Sequence, residues 1–580
     1  MTSFIRHINR AAHSMQGEKS GALSMARSRA LIMLLCFFGL YAVVAMRVFD
    51  LTYVRPLFSS DQPVFSAKIE TPKPDIMRGN IYDRNQMLLA GNIDVPSLYA
   101  DPFFIEDKEA TAKALARIFK DKSAQDYLSE IDTKRRFVLI KEDLTAEEQK
   151  AILDAGQPGL MFKEETKRIY PQGTSAAHML GFTGRDGGGL EGIERAFNEK
   201  LATGQPVVTT LDMRLQHVMH KALMEKVEAF TAKSASGLIM DIHSGDILAA
   251  ASVPDYDPNV FGQSKASERF NGLMQGVHEM GSTFKIFSTA ALLETLHPRL
   301  SKTYDATEPL VRGRFKINDY HGEERELTIP EIFSHSSNIG SALMGEEIGT
   351  QALRNFYRDL GLMERVSVND IQTAQPLLPS TWRDINTLTA SYGHGMAVTP
   401  LHVAQAVGTI ANGGLLVRPN ILLNEDDDQN VNRVRVITEE NSEKMRQLMR
   451  LVVRDGTGSK AEVEGYGVGG KTGTAEKIGA NGRYDKKKLL SSFVGVFPVD
   501  DPKYLVFVMV DEPVGNKQSW GYATAGWTAA PAVAEIITKM TRILGMPATY
   551  TRERDMAFVG EVEKLVRKPE KEEREKVASY

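Results

Sequence analysis

An apolar run near the N-terminus limits, more than any other feature, how this chain can fold. Residues 30–46 carry no charge, and this run is at the short end of what spans a bilayer as a helix. The segment before it, 1–29, carries five Lys or Arg and one Glu, a net charge of +4. By the positive-inside rule, the sequence predicts a cytosolic basic tail at 1–29, a transmembrane signal anchor at 30–50, and export of everything that follows.

A cleaved signal peptide and a buried core helix are the alternatives for this run. No small-x-small cleavage site follows it, and the segment 1–29 would be long for the n-region of a signal peptide, so an uncleaved anchor is favoured. The single cysteine, Cys36, lies inside the run and is interpreted as apolar filler. An internal disulfide and a zinc site of the Cys₂His₂ type are therefore excluded.

The exported part is long enough for two domains with a mixed α/β fold. The chain has 580 residues, 42% of them hydrophobic and 25% charged, which is ordinary globular composition. Its 70 Lys and Arg nearly balance its 74 Asp and Glu, so charge indicates no nucleic-acid partner. Strands, turns and short helices are predicted over 51–205, and alternating helices and strands over 206–546. The charged residues after 550 predict a solvated, mobile tail at 547–580.

A glycine-rich segment matches the dinucleotide-binding pattern. Gly187 to Gly192 satisfies G-x-G-x-x-G, and an acidic residue, Asp212, follows at the spacing that the pattern requires. That site requires a buried apolar strand leading to the first glycine, and the charged pair Arg185-Asp186 occupies this place. A dinucleotide site is therefore disfavoured.

A second segment matches the phosphate-binding P-loop. Residues 465–472 fit the pattern, and 505–512 resemble the Walker B strand. A P-loop follows an apolar strand and opens a helix, but residues 459–466 are polar. Downstream, Asn481-Gly482 predicts a hairpin turn into another strand. A nucleotide-dependent enzyme is therefore disfavoured too. The lysine of this segment, Lys471, needs another explanation.

A serine and a lysine are paired at the start of an apolar helical pattern. Ser282 and Lys285 are three residues apart, which places the hydroxyl and the ammonium on one helix face. A serine hydroxyl becomes a useful nucleophile only when a base removes its proton. Lysine serves as that base if burial and a second cation lower its pKa, and Lys471 is the candidate for that cation. The N-terminus of the helix also offers backbone N–H groups to an oxyanion.

The pattern Ser-x-Asn occurs twice. Ser336-Ser337-Asn338 opens an apolar-periodic helix, so its hydroxyl and amide are predicted to face a cleft, relay a proton and hold a substrate amide. The alternative is that Ser336 is only the N-cap of that helix. The second copy, Ser367 to Asn369, lies in a turn and is interpreted as an N-cap.

The segment Lys471-Thr472-Gly473-Thr474 is predicted to be a strand before a hairpin. Its free edge would pair with an extended substrate. Gly473 would let the substrate backbone approach closely, while Lys471 and Thr474 would meet a carboxylate.

The order Ser-x-x-Lys, Ser-x-Asn and Lys-Thr-Gly is the signature of penicillin-binding proteins and class A β-lactamases. The chain resembles the class B penicillin-binding proteins of the cell-division type over nearly its whole length. Further matching segments are 78–85, 168–182, 184–198, 240–259, 391–406 and 491–498. The resemblance implies a pedestal domain at 51–205 and a transpeptidase domain at 206–546, with an antiparallel sheet flanked by helices and a helical subdomain.

The resemblance also implies acyl transfer on peptidoglycan stem peptides. Ser282 would attack the D-Ala-D-Ala carbonyl with Lys285 as general base, and an amine of a neighbouring stem would complete the cross-link. Ser336 and Asn338 would relay the proton and orient the substrate.

For the third motif, the resemblance implies that Lys471 is the electrostatic partner. Thr472 and Thr474 would contact the terminal carboxylate, beside Gly473. The N–H groups of Ser282 and Thr474 would form the oxyanion hole. No metal or cofactor is implied, and β-lactams would acylate the serine because they mimic D-Ala-D-Ala.

Several interpretations of this resemblance remain open. The middle motif is Ser-Ser-Asn instead of Ser-Asp-Asn, and no Glu-x-x-Leu-Asn occurs, so a transpeptidase is favoured over a β-lactamase. A β-lactam sensor would need a larger cytosolic part than the segment 1–29. An inactive scaffold would have lost the nucleophile, whereas Ser282 is present in this chain. Septal synthesis is favoured over elongation by overall similarity. The implied partners are a membrane glycan polymerase and other division proteins, and the implied location is a bacterial cytoplasmic membrane with a periplasmic catalytic domain.

Overall fold

The computed structural model describes residues 31–49, 77–320, 322–423, 433–479 and 482–567. The chain divides into two compact units, 1–75 and 76–580. The described part of the first unit is helix α1, Leu31–Phe49, whose residues are all exposed. Among the described residues, it is the one helix long and apolar enough to cross a membrane. It coincides with the predicted anchor, whereas the predicted basic tail lies outside the described residues.

The second unit begins with a small α+β region. Its strands are β1 (Ile81–Tyr82), β2 (Leu88–Ala100), β3 (Val138–Lys141), β4 (Leu160–Ile169) and β5 (Val207–Val208). Its helices are α2 (Lys108–Phe119), α3 (Ala124–Ile131), α4 (Ala146–Ala155), α5 (Ala177–Leu180), α6 (Gly192–Ala196) and α7 (Asn198–Ala202). The sheet order is β3-β2-β1-β5, and β4 also pairs with β2. This region corresponds to the predicted pedestal.

A buried ion cluster joins three segments of the pedestal that are distant in sequence. The Glu194 carboxylate accepts hydrogen bonds from Arg78 Nε and Arg168 Nε, both at 2.7 Å. Gly189 packs so closely that an added Cβ would lie 1.9 Å from the Glu194 carbonyl oxygen. The glycine-rich segment therefore has a packing role. No strand of the described residues leads directly into it, although a dinucleotide site requires one there, so the packing role is favoured.

The rest of the unit is built around a larger sheet and many helices. The strands are β6 (Ser234–Asp241), β7 (Ile247–Val253), β8 (Thr303–Asp305), β9 (Leu310–Arg312), β10 (Phe315–Ile317), β11 (Glu326–Thr328), β12 (Gly469–Ile478), β13 (Tyr484–Phe497) and β14 (Tyr504–Asp511). The helices are α8 (Met213–Ala229), α9 (Ala266–Arg269), α10 (Lys285–Leu296), α11 (Ile329–Ser334), α12 (Asn338–Ile348), α13 (Thr350–Asp359), α14 (Asp384–Ala390), α15 (Pro400–Ala411), α16 (Glu439–Asp455), α17 (Ala529–Ile543) and α18 (Arg552–Glu563).

The main sheet is antiparallel, in the order β12-β13-β14-β6-β7, and separates two helical layers. Alternate residues of β14 point to opposite faces, so Val506 and Val508 pack with α8 and α17, whereas Leu505 and Phe507 join the core that contains α10, α15 and α16. A hairpin with Ser244-Gly245 in its turn joins β6 to β7. The mixed α/β fold class is confirmed. As a consequence of the strand order, β12 lies at one edge of the sheet.

The structure differs from the sequence prediction at the C-terminal tail. The tail was expected to be solvated and mobile, but α18 buries Val559 and Val562 in the main core. Asp555 on α18 accepts a 2.5 Å hydrogen bond from Arg450 on α16. The prediction is wrong here because a few apolar residues and one buried ion pair anchor an otherwise highly charged segment. Residues 568–580 lie outside the described residues.

Candidate active site

The predicted nucleophile lies in a tight turn that runs directly into a buried helix. Ser282 belongs to a 3-10 turn, Gly281–Phe284, and Lys285 is the first residue of α10. Phe284 and Phe287 pack edge to face with a ring-centroid distance of 5.1 Å, which fixes the turn against the core. The Ser282 side chain stays half-buried, while Lys285 is fully buried.

The Lys285 ammonium contacts all three residues that the sequence grouped around it. Its Nζ lies 3.0 Å from Ser282 Oγ and 2.8 Å from Asn338 Oδ1. It also donates to the carbonyl and hydroxyl oxygens of Ser336, at 2.5 and 3.0 Å. The lysine is therefore held beside the serine hydroxyl by groups from outside its own helix.

Lys471 reaches the same cluster from the edge strand β12. Its Nζ donates to Ser336 Oγ at 3.0 Å and to the Thr472 carbonyl at 3.3 Å. Ser336 Oγ thus bridges two lysines. Among the described residues, neither Lys285 nor Lys471 forms an ion pair with a carboxylate.

Burial changes the protonation of both lysines, and at Lys285 the charge of Asp319 opposes the change. Burial lowers the pKa of Lys285 well below its ordinary value, and the nearby charge of Lys471 lowers that pKa further. Burial also lowers the pKa of Lys471, to about 7. Because two causes lower the pKa of Lys285 and only burial lowers that of Lys471, Lys285 is the better candidate for the base and Lys471 for the positive charge.

The Ser-x-Asn turn resolves the alternative that the sequence left open for Ser336. Helix α12 is capped by Ser337, whose Oγ accepts a hydrogen bond from Gly340 N at 2.9 Å. Ser336 lies one residue earlier, with a left-handed φ of +62° that turns its side chain to the two lysines. The N-cap interpretation of Ser336 is therefore wrong.

Asp319 holds this turn in place, although no sequence motif indicated it. Its carboxylate accepts hydrogen bonds from Ser337 Oγ at 2.7 Å, from Ile339 N at 2.9 Å and from Asn338 N. The Asn338 amide also donates to the Asn318 carbonyl at 3.0 Å. Strand β11 and helix α11 separate Asp319 from the motif along the chain, so its contact with α12 depends on the fold of the β9–β10 segment.

We expect Asp319→Ala to lower the rate of serine acylation about 10- to 100-fold. Loss of three hydrogen bonds frees the Ser-x-Asn turn and weakens the cap of α12, at about 1–2 kcal/mol of stability. Acylation by a fluorescent penicillin and thermal unfolding measure the two effects. Asp305→Ala, at the exposed end of β8 in the same region, is the matched control. An unchanged acylation rate in the Asp319 variant would contradict the positioning role.

The edge strand lies against the nucleophile turn more closely than the sequence predicted. A Cβ added to Gly473 would lie 2.3 Å from Thr283 Oγ1 and 2.7 Å from the Met280 carbonyl oxygen. The glycine was assigned to substrate approach, but here it first lets β12 contact the turn that carries Ser282. Gly393 also packs tightly on this turn, since its Cβ would lie 2.0 Å from the Gly281 carbonyl oxygen.

The two threonines of this strand differ in exposure. Thr472 is 8% exposed, and its Oγ1 lies 2.7 Å from Thr457 Oγ1. Thr474 is half-buried, and its Oγ1 accepts a hydrogen bond from Ala525 N at 3.2 Å. Thr457 and the loop before α17 therefore orient these hydroxyls, and no motif in the sequence indicated either.

The remaining sequence motifs lie outside this cluster. Strand β12 contains the P-loop lysine and runs into β13 without an intervening helix in the described residues, so no phosphate cradle forms there. The second Ser-x-Asn caps no helix of the described part; Asn369 Oδ1 accepts a hydrogen bond from Ile421 N at 2.9 Å instead. In the part of the chain that the structure describes, no three His, Cys, Asp or Glu side chains are grouped to hold a metal ion.

Two family models match the chain. Residues 235–538 match the penicillin binding protein transpeptidase domain, and residues 75–210 match the penicillin-binding protein dimerisation domain. Together they cover both regions described above and leave α1 and α18 outside.

Curated relatives and solved structures agree with these matches. A probable peptidoglycan D,D-transpeptidase FtsI of Caulobacter vibrioides is 39% identical over 81% of this chain and 82% of the relative. The peptidoglycan D,D-transpeptidase FtsI of Escherichia coli K12 is 29% identical over 77% of this chain and 81% of the relative. Penicillin binding protein 3 of Mycobacterium tuberculosis, solved with aztreonam, has a TM-score of 0.64 at 23% identity, covering 82% of this chain and 97% of that one. At this low identity, the comparison with the solved structure shows that the two proteins share a similar fold.

Proposed function

The chain belongs to the penicillin-binding protein transpeptidases, and from that premise we propose that Ser282 is the nucleophile that cross-links peptidoglycan stem peptides. The observation that carries this proposal is the 3.0 Å contact between Ser282 Oγ and the buried Lys285 Nζ. The chain is a serine-type peptidoglycan D,D-transpeptidase of the FtsI kind, a class that acts on peptidoglycan and binds β-lactams.

Acylation begins when neutral Lys285 takes the proton of Ser282 Oγ. The oxygen attacks the carbonyl carbon of the penultimate D-alanine, and the resulting oxyanion faces the N–H groups of Ser282 and Thr474. Lys471, in its charged form, stabilises the negative charge that develops. The C–N bond then breaks, and the leaving D-alanine takes a proton through Ser336, which contacts both lysines. The products are an acyl-enzyme and free D-alanine.

An acceptor amine completes the reaction by the reverse route. It attacks the acyl-enzyme carbonyl and loses its proton through Ser336 to Lys285, and the Ser282 oxygen is reprotonated as it leaves. Asn338 holds a substrate amide, while Thr472 and Thr474 meet the terminal carboxylate beside Gly473. Because the sequence has no Glu-x-x-Leu-Asn segment, which carries the deacylating glutamate in class A β-lactamases, we expect water to replace the amine only slowly.

The proposed roles predict a bell-shaped dependence of acylation on pH. The rate rises with pH as Lys285 loses its proton, because only the neutral amine accepts one. It falls again above about pH 7, where Lys471, whose pKa burial lowers to about 7, loses the charge that stabilises the transition state. Penicillin acylation at saturating and subsaturating concentrations measures both limbs. A rate that climbs without a maximum from pH 6 to 10 would contradict the electrostatic role of Lys471.

The location of the protein and its role in the cell are also part of the proposal. Helix α1 would anchor the chain once in the cytoplasmic membrane, with the N-terminus in the cytosol and the catalytic domain in the periplasm. A membrane glycan polymerase and other division proteins would be its partners, in septal synthesis. Elongation of the side wall is the second candidate, because the same site would serve both roles.

Intact mass of the full chain in detergent, after incubation with benzylpenicillin, tests the proposal. We expect the wild type to gain the mass of one penicillin and Ser282→Ala to gain none. Ser288→Ala, a buried serine on the next turn of α10, is the matched control and should still be acylated. Folded wild type without an adduct would refute the proposal. Rapid consumption of penicillin without an adduct would indicate a β-lactamase instead.

A further inference from the structure

A cavity of about 600 Å³ lies between the pedestal and the transpeptidase region. It is lined by residues of α6 and the turn before it (191–196), by the segment 269–275 and by the turn 365–372, and by none of the residues of the active site. Two motifs that the proposed function does not use converge here. They are the end of the glycine-rich segment, at Gly192, and the second Ser-x-Asn, at Ser367 and Asn369.

The charges around this cavity are mostly positive. Three guanidinium groups line it, from Arg195, Arg269 and Arg365, against two carboxylates, from Glu191 and Asp370. Among the described residues, none of the three arginines forms an ion pair within 4.0 Å. Burial raises the pKa of Glu191, and the charges of Arg269 and Arg195 oppose this shift, so both guanidinium groups act on the same side of the cavity.

The walls of the cavity are fixed by hydrogen bonds between distant segments. Asn271 Nδ2 donates to the His178 carbonyl at 3.0 Å and joins the pedestal wall to the transpeptidase wall. Ala374 N donates to the Met274 carbonyl at 2.9 Å and joins the end of the turn 365–372 to the same wall. The cavity is therefore preformed, and its volume is in the range of about 300–1,000 Å³ that is usual for small-ligand sites.

We propose that this cavity, which we name the arginine cavity, binds the carboxylates of a second stem peptide on the substrate strand, apart from the stem in the active site. The inference rests on the proposed function, because it takes peptidoglycan as the substrate. Guanidinium groups bind carboxylates in a two-pronged geometry, and the volume suits a short peptide. A glycan strand carries many stems, so binding one stem raises the effective concentration of its neighbours near the protein.

The test uses the full chain in detergent, with Ser282 already acylated by benzylpenicillin so that the active site is closed. The probe is a soluble disaccharide pentapeptide, and binding is measured by calorimetry. We expect the acylated protein to bind it, and Arg195→Ala/Arg365→Ala to weaken that binding at least tenfold. Arg542→Ala, an exposed arginine outside the cavity, is the matched control. A probe with all carboxylates amidated should lose binding to the same extent as the double variant.

Three results would overturn the inference. They are no binding by the acylated protein, equal binding by the double variant with an unchanged melting curve, and binding of inorganic phosphate in place of the probe. Failure of the proposed function would look different, because Ser282 would then acquire no penicillin. In that case binding of the disaccharide pentapeptide is measured on Ser282→Ala, with and without Arg195→Ala/Arg365→Ala. Weaker binding when the two arginines are replaced would still support the inference, and equal binding would overturn it.

Discussion

Lys285→Met is expected to lower the rate constant of acylation by benzylpenicillin at least about 1,000-fold, within the range observed when a general base is removed. In the variant, Ser282 Oγ keeps its place in the turn but has no group at 3.0 Å to take its proton. Methionine fills most of the volume of the lysine. Methionine removes a buried charge but leaves the oxygens of Ser336 and Asn338 without their donor, so we expect the free energy of unfolding to fall by no more than about 1–3 kcal/mol.

Stopped-flow acylation and thermal unfolding, measured together, check this expectation. Lys302→Met is the matched control, because Lys302 lies partly exposed at the surface and pairs with Glu347 instead of an active-site group. In this variant, the rate of acylation at Ser282 should stay within twofold of the wild-type rate. If the Lys285 variant is folded and acylates within tenfold of the wild-type rate, Lys285 is not the base. The proton would then have to pass to Lys471 through Ser336 Oγ.

Gly473→Ala is expected to be a severely damaging change at the site, although it adds only one methyl group. The new Cβ would lie 2.3 Å from Thr283 Oγ1, 2.7 Å from the Met280 carbonyl and 2.7 Å from Ser492 Oγ. Two of these atoms belong to the nucleophile turn or the residue before it, so β12 and Ser282 must move apart. We expect acylation to fall at least about 100-fold, because small displacements of reacting groups cost that much. Overpacking should also cost about 1–3 kcal/mol of stability.

The control for this change is Gly262→Ala. Nothing lies within 4 Å of a Cβ at Gly262, and its φ is not left-handed, so neither rate nor stability should change. Acylation rates are compared per folded molecule, with the folded fraction taken from the unfolding curve. A Gly473 variant that acylates at the wild-type rate would mean that the strand and the turn do not need to touch, and would contradict the geometry proposed for the oxyanion hole.

The linkage between stability and pH follows from the same two lysines. In the folded protein the pKa of each lies below the ordinary value of 10.5, and that of Lys471 is about 7. Between the folded and unfolded pKa values the unfolded chain binds more protons, so these groups make the protein more stable as pH rises from about 7 to about 10.5. Their contribution is fully present above about pH 10.5 and is lost as pH falls from there through the folded pKa values.

Short-range spacing explains what the sequence revealed about the site. Ser282 and Lys285 are one turn apart, so any helical start brings their side chains together. The Asn481-Gly482 turn signal placed Lys471 on a strand rather than before a phosphate-binding helix, and β12 is that strand. The three motifs were grouped by their order and resemblance, and the structure brings them to one cluster.

Long-range contacts explain what the sequence missed. Asp319 holds the Ser-x-Asn turn from a neighbouring hairpin, and Gly473 is required by the approach of a turn that lies far earlier in the chain. The charge of the C-terminal segment predicts a solvated tail, yet Val559 and Val562 anchor it. No periodic pattern and no local turn signal in the sequence indicates any of these contacts.

By itself, the sequence determined the apolar anchor, the alternation of helices and strands, and the three short motifs, because each depends on residues within a few positions of one another. Only the tertiary structure decided that Ser336 faces two lysines instead of capping α12. It also decided that both lysines are buried without an ion-paired carboxylate, and that three arginines share one cavity. Burial and electrostatic environment are sums over neighbours from the whole chain, and those neighbours exist only once the chain has folded.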